Sequence, residues 1–585
     1  MIDNNTIKYL GIDLGTSNTA MALATEEGTR ILDIEQKVDG HLKASRSSLP
    51  SFVYLDKKSD VPSVGLWAKE QASVSPDLTI SSAKSWLSHS QVDRLDAILP
   101  WGSSHSNKLS PVEASATILR HVQNTLEDEE YNLVLTVPAS FDETARKLTV
   151  KAAEAGGFGG ATLLEEPLAA VYGWISQNPE SWREQVKPGD MILVCDVGGG
   201  TSDFSLLVAH EQEGQLNLER ISVGRHLLLG GDNMDLALAY RSKIELEKQG
   251  HQIDEWQLSS LIFQASHAKE QMLTQPELNE YAIGIESRGS NLFAGALTIA
   301  IQRQWIDEIV LDGFFPSCDI NDHPQQRSAI GLQEFGLAYE HDAAITRHLA
   351  SFLSQSYGNV MSDERLQKLA DGSCDHGAKF LKPSVILFNG GVFNGSQMRQ
   401  RVHEVVGSWS GALPRVLEGH DCNLAVAKGA AFYSRMKTDP KGLRIRSGTA
   451  QSYYLGVESG MMAIPGYTPP RKGLCVIPQG TEEGTHLRLP DKTFALRTGE
   501  QIEFKFYGSR TRAGDKMGQE ISDADKQLEK NYTLRADIPQ KEGSQETYPV
   551  WLDAEITELG TMNIVMQHTE SDQHWNLEFD VRRHD

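Results

Sequence analysis

At 585 residues the chain is too long for one hydrophobic core, which predicts several lobes or domains; 39% hydrophobic and 23% charged residues is the balance of a globular protein. The formal net charge of −24 opposes nucleic acid or an anionic membrane surface as a partner, since both call for a basic footprint. No apolar run reaches the ~20 residues of a membrane-spanning helix, residues 1–5 lack a secretory pattern, and five cysteines without a Cys-x-x-Cys pair predict reduced thiols in a cytoplasmic protein.

Along the chain, residues 8–13 (KYLGID) and 19–24 (TAMALA) read as strands joined by Leu14-Gly15-Thr16-Ser17-Asn18, with a third apolar segment at 31–34. Ser110-Pro111-Val112-Glu113 is a capping box with proline at the first helical position. It leads the apolar stripe Val112, Ala116, Leu119, Val122 and Leu126. A buried-type strand follows at 133–137, then a helix over about 142–155 that stops at Gly156-Gly157, and Pro167 opens another after Glu166. Residues 191–208 (MILVCDVGGGTSDFSLLV) form a second strand–turn–strand unit. An apolar strand at 384–388 precedes Asn389-Gly390-Gly391, and 425–436 is helical. This alternation predicts α/β lobes.

After residue 437 the pattern changes to short apolar runs at 453–457, 474–477, 502–507, 549–556, 562–566 and 575–581, punctuated by glycine, proline and threonine. Such spacing predicts a β-sandwich. Asp439-Pro440-Lys441-Gly442 breaks the last helix, so the expected organisation is an α/β domain over 1–437, a linker over 438–449 and a smaller all-β domain over 450–585.

The two strand–turn–strand units share Asp, one residue, Gly, then Thr-Ser and a polar residue: Asp13 to Asn18 and Asp196 to Asp203. This internal repeat predicts two related lobes that face each other. Glycine turns let backbone N–H groups converge on an anion. No Gly-x-x-x-x-Gly-Lys-[Ser/Thr] is present, and no helix follows Gly198-Gly199-Gly200 in the dinucleotide-binding manner. Asp13 and Asp196, one per turn, can hold a hydrated Mg²⁺ or orient a water, so the pair predicts nucleotide binding with phosphoryl chemistry. Cys374-Asp375-His376 lacks the four spaced ligands of a structural zinc site and reads as a loop.

These motifs carry a family resemblance. YLGIDLGTSNTAMAL and LVCDVGGGTSDFSLL resemble the first and second phosphate motifs of the Hsp70 chaperone ATPase domain, within the actin–hexokinase–Hsp70 superfamily. LTVPASFDETARKLTVKAAEAGGF, LLEEPLAAVYGW, GGDNMD at 230–235, FNGGVFNG and AVAKGAA resemble its other segments in the family's order. The resemblance implies a two-lobed, actin-like fold of ribonuclease H-like halves that binds ATP or ADP with Mg²⁺, accompanied by K⁺, and has weak intrinsic ATPase activity.

It also implies roles. Asp13, Gly15, Thr16 and Ser17 would face the phosphates and hydrated Mg²⁺; Gly198, Gly199 and Gly200 would form the second half of the cradle. Lys84 lies where the family has its catalytic lysine, although from its local sequence it reads as a solvated helix residue. Glu166 would contact the metal's waters, with Asp196 and Thr201 positioning the attacking water. Asp203 would be a monovalent-cation ligand. Gly230, Gly231, Gly390 and Gly391 would approach the nucleotide from the second lobe, and Lys269 would reach ribose or adenine, with a solvated helix face as the alternative reading. Three departures stand out: Val392-Phe393-Asn394 where the family places an adenine-stacking arginine, Asn423 for an acidic residue, and extra length over 318–382 with a helix expected at 342–354.

YYLGVESG and WLDAEITELGTMNIVMQ resemble parts of the Hsp70 peptide-binding β-domain, which implies unfolded or extended polypeptide as partner, with a J-domain co-chaperone or exchange factor as further partners. The family's acidic-apolar linker is replaced by Gly442-Leu-Arg-Ile-Arg-Ser-Gly, and no helical lid follows; a lidless site is expected to release clients quickly. The competing readings are an Hsp70-derived regulatory or assembly protein, a small-molecule kinase and an actin-like filament protein.

Overall fold

The apolar runs of the first three quarters of the chain fold, in this computed structural model, into two sheets of one design. The structure describes residues 8–57, 59, 61–89, 91–127, 129–212, 214–286, 296–325, 337, 339–439, 442–458, 469–489, 492–497, 499–538, 547–557 and 561–579. The expectations for residues 1–5, for part of the 318–382 insertion (326–336 and 338), for 440–441, 459–460 and 558–560 and for 580–581 therefore lie outside the described residues.

Strand β1 (Lys8–Leu14) pairs antiparallel with β2 (Asn18–Thr25), and β2 with β3 (Gly28–Leu32). On its other side β1 lies parallel to β4 (Tyr131–Val137), and β4 parallel to β5 (Thr162–Glu165). The second sheet repeats this plan. Its strands β6 (Met191–Val197), β7 (Ser202–Gln212), β8 (Gln215–Val223), β9 (Val385–Asn389) and β10 (Arg415–Val416) run in the order β8-β7-β6-β9-β10. The pairs β6–β7 and β7–β8 are antiparallel, while β6–β9 and β9–β10 are parallel. The similarity between the two turns is thus the visible part of a duplicated sheet.

The helices follow from their caps and stripes. Helix α1 (Ala83–Leu87) is short and buried. Helix α2 (Pro111–Gln123) starts on the expected capping box: Glu113 N donates to Ser110 Oγ at 3.1 Å, and Ser110 N to Glu113 Oε2 at 2.8 Å. Helix α3 (Glu143–Ala155) is capped by Asp142, whose carboxylate accepts from Ala145 N at 2.8 Å. Leu119 and Leu148 from these two helices share a core with Leu10, Ile12 and Leu135 of the first sheet.

Helices α4 (Glu166–Gln177) and, at the far end of the lobes, Ala425–Thr438 pack on one another between the sheets. Glycine makes this possible. A Cβ on Gly429 would stand 1.7 Å from Ala169 O, one on Gly173 2.2 Å from Ala425 O, and one on Gly11 2.1 Å from Ala431 N. Backbone meets backbone, so no side chain fits.

The second lobe adds α5 (Gly231–Lys248) and α6 (Glu255–Thr274), with a hairpin of Glu280–Glu286 and Ala296–Gln302. Helix α7 is Ile345–Val360 rather than 342–354. Asp342 is spent before the helix, its carboxylate accepting from Gln325 N and Ala344 N, each at 2.9 Å. The apolar face of α7 (Leu349, Leu353, Val360) continues past 354 into the lobe's core. The helix at Ala425–Thr438 is α8.

Past α8, residues 445–446 lie along the edge of the second sheet. Arg220 N donates to Arg446 O at 2.8 Å, Arg446 N to Leu218 O at 2.9 Å, and Ile445 N to the Tyr172 hydroxyl at 2.7 Å. Backbone pairing at a sheet edge needs no particular side chains, so residues 445–446 can pair there whatever their sequence.

Ten strands follow: β11 (Ser452–Val457), β12 (Lys472–Ile477), β13 (His486–Arg488), β14 (Phe494–Arg497), β15 (Gly499–Ser509), β16 (Glu520–Ile521), β17 (Glu529–Ile538), β18 (Thr547–Ile556), β19 (Met562–His568) and β20 (His574–Phe579). Among the described residues they form one antiparallel path, β13-β18-β19-β20-β17-β15-β11-β12-β16, with β14 beside β18. Tyr453, Leu474 and Phe506 from one part share a core with Leu552, Ile564 and Leu577 from the other. This region touches both lobes: Arg510 Nη2 donates to Ser140 O at 3.2 Å and Met562 N to Glu143 Oε1 at 2.6 Å, while Ala513 N donates to Asn359 Oδ1 of α7 at 3.0 Å. No helix among the described residues is long and apolar enough to cross a membrane.

Candidate functional site

The two aspartate-led turns line a cavity of about 950 Å³ between the lobes. In each lobe the aspartate near the end of the central strand is held by the parallel neighbour. Thr136 Oγ1 of β4 donates to Asp13 Oδ1 at 2.8 Å, and Asn389 Nδ2 of β9 to Asp196 Oδ2 at 2.7 Å. The first turn is braced from outside, where Ser51 Oγ donates to Gly15 O at 2.8 Å and Ser51 N to Ser17 O at 2.9 Å. The second is closed by Gly198 N donating to Thr201 O at 2.9 Å, and the start of α5 is tied to it, with Gly231 N donating to Gly198 O and Asp232 N to Gly199 O.

Bare backbone is required here. A Cβ on Gly199 would lie 2.0 Å from Ser17 Oγ, one on Gly200 2.6 Å from Thr16 Cγ2, and one on Gly230 2.5 Å from Gly199 O. Gly390 has φ +89°, and its Cβ would lie 2.3 Å from Val197 O; that of Gly391 would lie 3.2 Å from Asn423 Oδ1. The two turns and the Gly390-Gly391 step form a cradle of peptide groups, the arrangement that suits phosphate oxygens.

Lys84 is 5% exposed and paired with Glu166, the first residue of α4. The chain enters α1 through Ser82, a non-glycine residue at φ +54°, which also lines the cavity. The surface reading of Lys84 is therefore corrected: its stem is packed and its ammonium turned into the cleft. Lys269 is likewise buried, donating to Gly231 O at 2.9 Å and pairing with Asp235 at 2.7 Å.

Burial raises the carboxyls of this cleft. It pushes Asp196 up to about 8, with Glu166 adding repulsion, and Glu166 to about 7 against the pull of Lys84. Asp13 is raised by burial, opposed by Lys84 and by the Thr136 hydroxyl. Burial also lifts Asp232 to about 6, assisted by Asp235. Burial alone would lower the Lys84 ammonium, but Glu166, Asp13 and Asp203 reverse the sign.

Asp13, Glu166 and Asp203 thus act on one lysine, with Asp196 beside them, and such an excess of buried acid calls for a cation. Ser17 Oγ and Asn389 Oδ1 are buried with no hydrogen-bond partner among the described residues, as polar atoms facing a bound group would be. The residues fit a hydrated Mg²⁺ carrying an anion. Asp203 differs. Ser140 Oγ donates to its Oδ1 at 2.9 Å, and His226 Nδ1 lies 3.2 Å from each of its oxygens.

Sequence reading missed Thr136, Asn389, Ser140, His226 and Asp232. Asn389 stands directly before Gly390-Gly391 and Asp232 directly after Gly230-Gly231, so adjacency to a glycine step was the available signal. Thr136, Ser140 and His226 carried none. Among the described residues no group of three or more His, Cys, Asp and Glu is arranged to ligate a metal directly, so a Mg²⁺ in the cleft would be held through its waters; His376 meets the Tyr357 hydroxyl at 2.9 Å.

The Hsp70 protein family model matches residues 9–314, a little over half of the chain. The chain belongs to the Hsp70 family. It is 29% identical over 248 residues to the chaperone protein DnaK of Burkholderia cenocepacia (strain HI2424). It is 34% identical over 247 residues to a chaperone protein HscA homolog of Actinobacillus pleuropneumoniae serotype 5b (strain L20). In both cases the match covers 39% of this chain and 36% of the relative, about a third of the relative's length. Asp13, Lys84, Glu166, Asp196 and Lys269 fall within the Hsp70 match, whereas Gly390, Gly391, α7 and the C-terminal strands fall beyond it. Two departures from the Hsp70 pattern meet in space: Asn394 Nδ2 donates to Asn423 Oδ1 at 3.1 Å.

Proposed function

We propose that this Hsp70 protein binds ATP with Mg²⁺ between its lobes and hydrolyses it slowly, and that its nucleotide state adjusts a site for extended polypeptide in the C-terminal β region. The observation that carries the reading is the buried Lys84–Glu166 pair beside Asp13 and Asp196, set against a cradle in which a Cβ on Gly15, Gly199, Gly200, Gly230 or Gly390 would collide with a neighbour.

Bound Mg²⁺ would neutralise charge on the phosphoryl oxygens. Asp13 and Glu166 would receive its waters, and the peptide groups of residues 15–17 and of Gly199 and Gly200 would cradle the phosphates, with Gly198 closing the second turn through its N–H to Thr201 O. Lys84 would offset charge gathering on the transferred group. Asp196, oriented by Asn389, would align the attacking water with Thr201. Gly230, Gly231, Gly390, Gly391 and the remaining donor of Lys269 would face the nucleoside.

The division into an ATPase domain over 1–437, a linker over 438–449 and a β-sandwich over 450–585 is part of the same proposal, supported by the change from mixed parallel and antiparallel sheets to one wholly antiparallel path after α8. A two-layered β region could take an extended chain by backbone hydrogen bonds and apolar pockets. A J-domain co-chaperone or exchange factor and a cytoplasmic setting are consistent with that role.

ATP hydrolysis measured with and without unfolded peptide, in wild type and Lys84→Ala, tests the reading. Slow turnover in wild type, altered by peptide and lowered by a factor of about 10²–10³ in the variant, is expected. Equal rates in the two proteins would remove Lys84 from the chemistry.

A further inference from the structure

Asp203 stands opposite Asp196 in the β6–β7 ladder, so its carboxylate lines the same cavity while remaining only 7% exposed. A buried carboxylate in that position, next to two other acids, needs a compensating partner. The resemblance supplies one from solution, a monovalent cation. The protein supplies another from its own chain.

His226 Nδ1 lies 3.2 Å from both Asp203 oxygens, astride the carboxylate, while the Ser140 hydroxyl donates to Oδ1 at 2.9 Å. Against a carboxylate, only a ring nitrogen that carries its proton can make this contact, so Nδ1 is the donor. The ring is held in place. Its face or edge packs on Phe141 at 5.8 Å and 81°, and the next residue, Leu227, is locked to the start of β7 by Ser202 N donating to Leu227 O at 2.9 Å. Ser202 Oγ donates to Leu229 O at 2.6 Å and fixes the same loop a second time. A cation arriving at Asp203 would have to displace an N–H from a ring whose loop is fixed to β7 by these two hydrogen bonds.

We infer that His226 occupies the place of the monovalent cation beside Asp203, so that the nucleotide chemistry of this cleft runs without K⁺. The inference rests on the ATP reading above and departs from it at one ligand. His226 is a positioning residue here: it holds Asp203, and through Asp203 the hydroxyl of Ser140, whose carbonyl oxygen also accepts from Arg510 of the β region at 3.2 Å.

Two measurements test this. In the first, MgATP affinity and hydrolysis are compared in KCl and in tetramethylammonium chloride at equal ionic strength. Wild type is expected to differ by no more than roughly twofold between the salts, and His226→Ala, which uncovers both Asp203 oxygens, by more than about fivefold in favour of K⁺. A wild type that needs K⁺ would overturn the inference. The second uses nucleotide-free wild type and thallium-205 resonance line width, with Tl⁺ standing in for K⁺. No protein-dependent broadening beyond that of a tetramethylammonium-competed control is expected, whereas saturable broadening abolished by Asp203→Asn would overturn the inference even if the His226 variant failed to fold. Absence of MgATP binding in every salt would sink the ATP reading alone, because the thallium measurement reads Asp203 without nucleotide.

Discussion

Glu143, the first residue of α3, accepts a hydrogen bond from the backbone N–H of Met562 at 2.6 Å, which buries a first-lobe carboxyl against strand β19. Burial pushes this carboxyl from 4.5 up to about 8, outweighing the opposing pull of Lys147 and of the Met562 N–H. Away from β19 it would ionise near its ordinary value. The docked state therefore holds one more proton between about pH 4.5 and 8. The group's stabilising contribution is full below that window and is lost as pH rises through it. Wild type should lose on the order of 2 kcal/mol between pH 6 and pH 8 from this group. Glu143→Gln keeps the acceptor without the charge. Melting temperature at the two pH values should fall less for the variant, with slower exchange of the Met562 amide at pH 8; parallel slopes would refute the assignment.

The crossing of α4 and α8 should tolerate no methyl group. At Gly429 an added Cβ meets Ala169 O at 1.7 Å and Gly173 N at 2.6 Å, both backbone atoms. Overpacking of this kind costs about 1–3 kcal/mol, and more where backbone has to move. Gly429→Ala should lower the denaturation midpoint by an amount at or above that range, while Gly159→Ala, with nothing within 4 Å, should change it by less than about 0.5 kcal/mol. Similar midpoints for the two variants would mean that the helices do not meet as described.

The exposed Asn394–Asn423 hydrogen bond lines the cleft where the Hsp70 resemblance implies an adenine-stacking arginine, and the proposed function puts the base there. An arginine over an aromatic base contributes about 0.5–2 kcal/mol. Asn394→Arg should therefore tighten MgATP binding by up to roughly tenfold, read by titration calorimetry, at little cost in stability. Unchanged or weaker binding would place the base elsewhere.

Local pattern was legible and long-range partnership was not. The Ser110–Glu113 capping box and the two glycine turns each lie within a few residues of sequence, and all three stand where the chain's spacing put them. Lys84 was legible only by family resemblance. Its local sequence reads as a solvated helix, because the carboxylate that makes burial tolerable, Glu166, is 82 residues away. Thr136 and Asn389 reach their aspartates across parallel strands 123 and 193 residues distant, a separation that leaves no periodic trace. The α7 boundary shifted for a related reason: Asp342, which looked like part of the helix, is used to accept from Gln325 N and Ala344 N before it begins.

The cradle itself offers the sharpest test. A Cβ on Gly199 would lie 2.0 Å from Ser17 Oγ and 2.9 Å from Ser17 Cβ, so a methyl group there forces the two turns against each other where an anion would settle. Titration calorimetry of MgATP into nucleotide-free wild type and Gly199→Ala measures this directly. One site in wild type, weakened at least roughly tenfold in the variant, is the result predicted, since forcing a methyl group into close contact costs about 1–3 kcal/mol. No heat of binding in wild type, or equal affinity in the two proteins, would contradict a nucleotide held between the paired turns.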